Sequence, residues 1–123
     1  MIHLIFCLRR LPHLSRDEFQ RYWRERHAPL VKAHAAALGI RRYVQAHTID
    51  AAMSSAIAAA RNAPEPFDGV AELWFDRDAF TQRGLTPAAV EAGRLLLKDE
   101  RRFIDLEHSP IFLAEDHVVI GAP

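Results

Sequence analysis

His27 is the residue whose type and position best suit it to chemistry. It follows Trp23 by one helical turn and stands just before Pro29. An imidazole can take up or release a proton near neutral pH, because its ordinary pKa is about 6.5. We expect His27 to move a proton in a pocket. The alternative is a structural role, in which the ring hydrogen-bonds to a backbone carbonyl that Pro29 leaves without its donor.

Tyr43 is the second candidate catalytic residue. Its hydroxyl can donate a hydrogen bond to a substrate carbonyl or to a developing oxyanion. The alternative is a buried tyrosine that packs on Phe19 or Trp23 and hydrogen-bonds to the backbone. His47 shares the strand face of Tyr43, because side chains alternate along a strand, but its place near the strand end favours a surface position.

Glu72 is a third ionisable candidate, and its role depends on which way its strand faces. If the neighbouring Leu73 faces the helices, Glu72 and Trp74 face a second subunit, where Glu72 is expected in an ion pair, for instance with an arginine. The opposite orientation would place Glu72 in the pocket as a possible base. The candidate substrate contacts are Trp23, Leu73, His47, His34 and Glu72.

Motifs for metals and cofactors are missing from the sequence. The seven histidines form no His-x-His or His-x-x-x-His pair, and His27 and His34 are two helical turns apart, too far for one zinc ion. There is no glycine-rich phosphate loop and no Gly-x-Ser-x-Gly. We therefore predict neither a metal nor a cofactor, and we assign Cys7 to the core.

Composition narrows the class of protein. The 123 residues carry 16 basic and 16 acidic side chains, which gives no electrostatic case for binding nucleic acid or an anionic membrane. The single cysteine cannot form an intramolecular disulfide, and no apolar run approaches the ~18 residues of a membrane span. The apolar run at residues 1–8 lacks the basic leader of a secretory signal. We expect a cytoplasmic protein.

Hydrophobic periodicity and capping residues predict the elements that must position these side chains. Ser15 and Glu18 form a capping box at the start of the first helix, and Gly39 is suited to end it. Thr86 and Pro87 begin a second long helix. The predicted order is strand 1–9, helix 15–39, strand 40–49, alanine-rich helix 51–62, strand 69–76, a helical turn 78–82 ending near Gly84, helix 86–105 and strand 109–120.

Two strand–helix–strand units in this order predict a ferredoxin-like βαββαβ fold, an α+β class in which both long helices cover one face of a four-stranded antiparallel sheet. We expect one domain over residues 1–123, with a variable alanine-rich insertion at about 50–67. The uncovered sheet face carries apolar residues and would be exposed in a monomer. A homodimer that closes two sheets into an α/β barrel would cover it.

Four segments of the sequence resemble the EthD family of the dimeric α/β barrel superfamily. They are Tyr-Trp-Arg-Glu-Arg-His-Ala-Pro-Leu-Val at 22–31, Leu-Gly-Ile-Arg-Arg-Tyr-Val-Gln at 38–45, Gly-Val-Ala-Glu-Leu-Trp-Phe-Asp at 69–76 and Asp-Glu-Arg-Arg-Phe-Ile-Asp at 99–105. The family is named for proteins linked to bacterial degradation of ethyl tert-butyl ether, where they accompany an oxygenase system. The superfamily contains cofactor-free monooxygenases, cyclases, isomerases and haem enzymes, so the fold alone does not define the reaction.

The resemblance and the candidate residues together give three hypotheses of function. The first is a cofactor-independent enzyme of small-molecule catabolism, monooxygenase-like or isomerase- or cyclase-like, in which His27 moves a proton and Tyr43 polarises a carbonyl. The second is a non-catalytic accessory protein that carries a small organic ligand for an oxygenase system. The third is a dimeric structural module.

Overall fold

The computed structural model describes residues 1–82 and 85–122, and these form one antiparallel sheet and its helices. The predicted end of the helical turn near Gly84 lies outside the described residues. The elements are β1 (Ile2–Leu8), α1 (Arg16–Tyr22), a π-helical turn (Trp23–His27), α2 (Ala28–Leu38), β2 (Ile40–His47), α3 (Ala52–Ala59), β3 (Gly69–Phe75), α4 (Arg77–Gln82), α5 (Pro87–Glu100), a 3-10 turn (Leu106–His108) and β4 (Ile111–Ala114).

The sheet has the strand order β2-β3-β1-β4, and all three pairings are antiparallel. This is the predicted ferredoxin-like topology, and the α+β class is confirmed. Leu4, Phe6 and Leu8 of β1 share a face with Ala71 and Leu73 of β3, and this face packs against the helices. None of the helices within the described ranges is both long and apolar enough to cross a bilayer.

The first long helix begins and ends at the predicted residues. Ser15 caps it, with both hydrogen bonds of the capping box present, and Gly39 ends it with a φ of 72°. Between these ends, Pro29 follows a π-helical turn, in which the Ala28 amide donates to the Trp23 carbonyl. The chain therefore accommodates the proline by widening one turn of the helix.

Three elements are shorter than predicted. The fourth strand was predicted over 109–120 but covers only Ile111–Ala114, because Ala114 already pairs with His3, near the start of β1, and little of β1 remains beyond it. The last long helix ends at Glu100 rather than near residue 105, and the alanine-rich helix is limited to Ala52–Ala59.

Aromatic side chains from different elements fill the core between the sheet and the helices. Phe19 and Trp23 pack with Phe103, which follows α5, and all three rings are almost fully buried. A second cluster joins α2 to α5 through Val31, Leu38, Ala89, Ala92 and Leu96. Tyr43 contacts both clusters, so the floor of the core is continuous under the two helices.

Replacement of glycine by alanine should have opposite effects on stability at Gly69 and at Gly93. A Cβ at Gly69 would overlap the Trp23 ring and lie 2.9 Å from the Ala46 carbonyl oxygen, whereas a Cβ at Gly93 in α5 meets nothing within 4 Å. Gly69→Ala should lower the free energy of unfolding by about 1–3 kcal/mol through overpacking. Gly93→Ala should raise it by up to about 1 kcal/mol, since alanine is the better helix former. Urea unfolding measures both, and equal effects would contradict this packing.

Candidate functional site

A cleft lies between α5 and the helix-covered face of the sheet. Its outer part is a cavity of about 260 Å³ with largely apolar walls from β1, β3 and α5. An inner cavity of about 50 Å³ extends to Trp23, His27 and Tyr43. Phe6, Leu73, Leu96 and Glu100 line both cavities, which are therefore two parts of one hollow.

His27 lines the inner cavity and is almost fully buried, with 5% of its surface exposed. Its Nδ1 lies 2.8 Å from Oδ2 of Asp99, and its ring lies against Phe103. Burial lowers the pKa of His27, while the hydrogen bond and charge of Asp99 oppose that shift. The imidazole is thus neutral at pH 7, and Nδ1–H donates to Asp99 in the tautomer that this pairing favours. Nε2 is left as a proton acceptor.

The pairing with Asp99 differs from the structural alternative considered for His27, since the ring contacts a carboxylate rather than a carbonyl freed by Pro29. Asp99 also accepts a hydrogen bond from the Tyr22 hydroxyl at 2.6 Å. A carboxylate that fixes one nitrogen of a histidine orients the other nitrogen, which is the arrangement of a catalytic Asp–His pair.

Tyr43 lines the inner cavity beside His27. Its hydroxyl accepts a hydrogen bond from Nε2 of Gln45 at 2.8 Å, and the same nitrogen is 3.0 Å from the Trp23 carbonyl. Burial raises the pKa of Tyr43, although Gln45 and Trp23 lower it in part. The hydroxyl therefore keeps its proton at neutral pH. Since it accepts from Gln45, that proton is available to a ligand.

Glu100 is an ionisable group of the cleft that the sequence analysis did not select. It is the last residue of α5, it lines both cavities, and its carboxylate has no hydrogen-bond or ion-pair partner within residues 1–82 and 85–122. Burial, reinforced by the charge of Asp99, raises the pKa of Glu100 to about 7, against a smaller opposing effect of Arg101. A carboxyl group with this pKa can both accept and donate a proton at neutral pH.

A sequence signal for Glu100 exists. It stands on the stripe of α5 that also carries Ala89, Gly93 and Leu96 and continues to Phe103, at helical spacing. A carboxylate on an apolar stripe must be buried, paired or exposed to a cavity, and each option is unusual for glutamate.

The remaining candidates are distributed over three places. Trp23 and Leu73 line the cleft. His47 stacks on Trp23 with ring centroids 4.4 Å apart and hydrogen-bonds to Gln45. It therefore packs against a residue of the cavity wall without lining the cavity, and it is half-buried where a surface position was expected. His34 lies on the flank of α2 near Glu91, away from both cavities.

Glu72 lies on the uncovered face of the sheet, because Leu73 faces the helices. Its Oε1 is 3.2 Å from Nε2 of His3, while Nδ1 of His3 is 2.6 Å from Asp116. The His3 ring stacks on the Trp74 ring. The Arg42 guanidinium also lies over the Trp74 ring, 4.9 Å from its centroid. Within this chain the partner of Glu72 is thus a histidine, where an arginine was offered as an example.

The described residues contain no cluster of three histidine, cysteine, aspartate or glutamate side chains with metal-binding geometry.

Comparison with known proteins agrees with this architecture. The EthD domain model matches residues 11–107, which is most of the chain. The chain belongs to the EthD family. The matched region contains the first long helix, β2, β3 and α5, and so most of the cleft. No curated protein shows significant similarity to this EthD-family chain.

Three solved structures show the same fold at low sequence identity. An EthD family protein of Bacillus halodurans C-125 has a TM-score of 0.61 and 19% identity, over 95% of this chain and 99% of that one. A dimeric protein of unknown function and ferredoxin-like fold from Bacteroides fragilis NCTC 9343 has a TM-score of 0.57 and 13% identity, over 94% and 95%. SnoaB, a cofactor-independent oxygenase of Streptomyces nogalater, has a TM-score of 0.53 and 17% identity, over 98% and 97%.

Glu100→Gln should change how stability depends on pH. The pKa of Glu100 is about 7 in the folded chain and near 4.5 as its ordinary value, so the folded protein holds an extra proton between these values. The protonated Glu100 therefore contributes stability to the folded protein that is fully present below about pH 4.5. This contribution is lost as the pH rises through about 7. Glutamine is neutral throughout and avoids this loss. The variant should gain stability over the unmodified protein between about pH 5 and pH 8, as measured by urea unfolding.

The matched control is Glu91→Gln, an exposed glutamate of the same helix that pairs with Arg94. It should show no such gain. Unfolding free energies of Glu100→Gln and the unmodified protein that run parallel across this pH range would contradict a buried, unpaired Glu100.

Proposed function

We propose that this EthD-family chain binds a small oxygenated organic molecule in the cleft and catalyses proton transfer on it without a cofactor. The observation that carries this proposal is the convergence of His27, Tyr43 and Glu100 on one otherwise apolar hollow. A largely apolar pocket with a few convergent polar groups and shifted pKa values is the usual form of a small-molecule site.

Each group has a distinct role in this proposal. The apolar outer cavity holds the carbon frame, and Glu100 at the junction of the cavities exchanges a carbon-bound proton. Tyr43 donates a hydrogen bond to the ligand oxygen in the inner cavity and stabilises the charge that develops there. His27, fixed by Asp99, accepts an oxygen-bound proton at Nε2.

Removal of a carbon-bound proton gives an enolate or carbanion, from which isomerisation, cyclisation and direct reaction with dioxygen can all proceed. Similarity in fold to a cofactor-independent oxygenase favours the oxidative branch. A carrier role for an oxygenase system would use the same apolar cavity, and it is distinguished from catalysis by binding without proton exchange.

Proton exchange at the carbon next to the carbonyl of 2-tetralone in D₂O tests the enzymatic proposal by NMR. We expect the protein to accelerate exchange, with a rate that rises with pH to a plateau above the pKa of Glu100, about 7. Glu100→Gln and Tyr43→Phe should each lower the rate about 100-fold, since each removes a proton-transfer or oxyanion-stabilising group. His27→Gln should lower turnover of a hydroxylated substrate, because it removes the proton acceptor at Nε2.

Glu91→Gln and His13→Gln are the controls, because both side chains lie on the surface away from the cleft. They should leave the exchange rate unchanged. Equal rates with the unmodified protein and Glu100→Gln would contradict the catalytic role. Binding of 2-tetralone with no acceleration in any variant would favour the carrier.

We further propose that a second copy of the chain covers the open face of the sheet, closing an α/β barrel. Ile5, Cys7 and Val44 lie on this face, and Phe112 of β4 is 48% exposed there. An apolar sheet face of this extent is typical of an interface. The Bacteroides fragilis neighbour is a dimer with a ferredoxin-like fold, which supports self-association here.

Sedimentation equilibrium should give twice the mass of one chain. Phe112→Glu should shift the protein to monomers, because an unpaired charge would be buried against the partner. Leu97→Glu, a comparable change at an exposed position of α5, should leave the dimer intact. A monomer at all concentrations, or a dimer unaffected by Phe112→Glu, would contradict this arrangement.

A further inference from the structure

Gly93 is a glycine in the middle of α5 that packing within the chain does not require. It lines the outer cavity, its φ is helical, and a Cβ built on it meets nothing within 4 Å. Glycine destabilises a helix interior relative to alanine. Gly69 differs in this respect, because the Trp23 ring occupies the space where its Cβ would be. What Gly93 provides is open volume in the wall of the cleft.

The electrostatic character of the cleft limits what can fill that volume. Among the described residues, those lining the two cavities include no lysine or arginine, and the ionisable ones are His27, Tyr43 and Glu100. Burial favours the neutral form of each, because it lowers the pKa of His27 and raises those of Tyr43 and Glu100. A carboxylate or phosphate would lose its hydration here and find no cation to replace it.

Size is the second limit. The outer cavity of about 260 Å³ lies just below the range of about 300–1,000 Å³ that is usual for pockets of drug-sized ligands. Leu4, Phe6, Leu38, Leu73 and Phe75 form most of its wall opposite α5, so a ligand there contacts mainly hydrocarbon along the walls of the cavity. Among the described residues that line the cavities, ionisable side chains lie toward the inner end, at Glu100 and beyond it at Tyr43 and His27.

We propose that the ligand of this cleft is an uncharged, mostly apolar molecule of one or two rings, which lies across Gly93 with its single polar oxygen directed toward Glu100 and the inner cavity. This inference rests on the site of the proposed function and adds the class of molecule that the site selects. It also makes Gly93 a specificity-determining residue, because a larger side chain there would occupy the space of the rings.

Three naphthalene derivatives of nearly the same size separate charge from shape. We expect 2-naphthol to bind at pH 6 at least tenfold more tightly than 2-naphthoate or protonated 2-naphthylmethylamine, as measured by calorimetry. The amine tests a cationic ligand paired with ionised Glu100, which is the competing explanation of an unpaired carboxylate. Binding of the anion or of the cation within threefold of 2-naphthol would overturn the proposal, and so would failure of 2-naphthol to bind.

Gly93→Val tests the position of the ligand. It should weaken 2-naphthol binding at least tenfold without lowering the melting temperature, because its side chain enters open space. Ala88→Val, at an exposed position of the same helix, should leave binding unchanged. Unchanged binding in Gly93→Val would overturn the assignment of Gly93.

Glu100→Gln separates this inference from the catalytic proposal. It should retain 2-naphthol binding within threefold while losing proton exchange on 2-tetralone. Selective binding of 2-naphthol with no exchange in the unmodified protein would therefore defeat only the catalytic proposal. Exchange accompanied by tight binding of 2-naphthoate would defeat only the ligand class.

Discussion

The contact of Asp99 with the first long helix is the interaction on which the cleft depends. This carboxylate lies near the end of α5 and binds both the Tyr22 hydroxyl and Nδ1 of His27, at 2.6 and 2.8 Å. It thereby joins the two helical units that cover the sheet, at a point where Phe103 also packs on His27 and Tyr22. Hydrogen bonds to a buried carboxylate are among the stronger ones in proteins, so loss of either Tyr22 or His27 as a partner would weaken this joint. The joint therefore fixes the width of the cleft and the orientation of His27 together.

The π-helical turn is what allows the first helix to present four side chains to the sheet. Phe19, Trp23, His27 and Val31 are buried at strict four-residue spacing. In a regular α-helix each such step drifts about 40°, so the set would spread over about 120° and could not all face one side. One wider turn at Trp23–His27 absorbs the drift. Beyond it the helix is regular, and His34 lies roughly 60° from Val31 around the axis, which explains its place on the flank of α2 rather than in the cleft.

Much of this architecture follows from local patterns in the sequence, and the exceptions have physical causes. The apolar run of β1, the capping box of Ser15 and Glu18, and Gly39 predict the strand, the helix and its ends, because each depends on neighbours in sequence. The short β4 depends instead on how much of β1 remains unpaired, which no local pattern gives. The orientation of Glu72 was undecided for the same reason, since it depends on which face the helices cover. Glu100 was overlooked because its position on an apolar stripe does not show that a cavity lies beside it, which only the packing of α5 on the sheet decides.

Asp99 and Glu100 are adjacent near the end of α5 but lie in different environments. This difference supplies the cleft with its titratable carboxyl group. Asp99 accepts hydrogen bonds from Tyr22 and His27, and its charge disfavours ionisation of Glu100, which has no donor among the described residues. The result is a hydrogen-bonded carboxyl group outside the cavity and an unpaired one at its wall, a difference in environment that proton-transfer sites use to make two similar side chains act differently. The same desolvation that raises the pKa of Glu100 to about 7 also penalises any charged guest. The raised pKa of Glu100 and the selection of a neutral ligand are therefore two consequences of the same desolvation at the wall of the cleft.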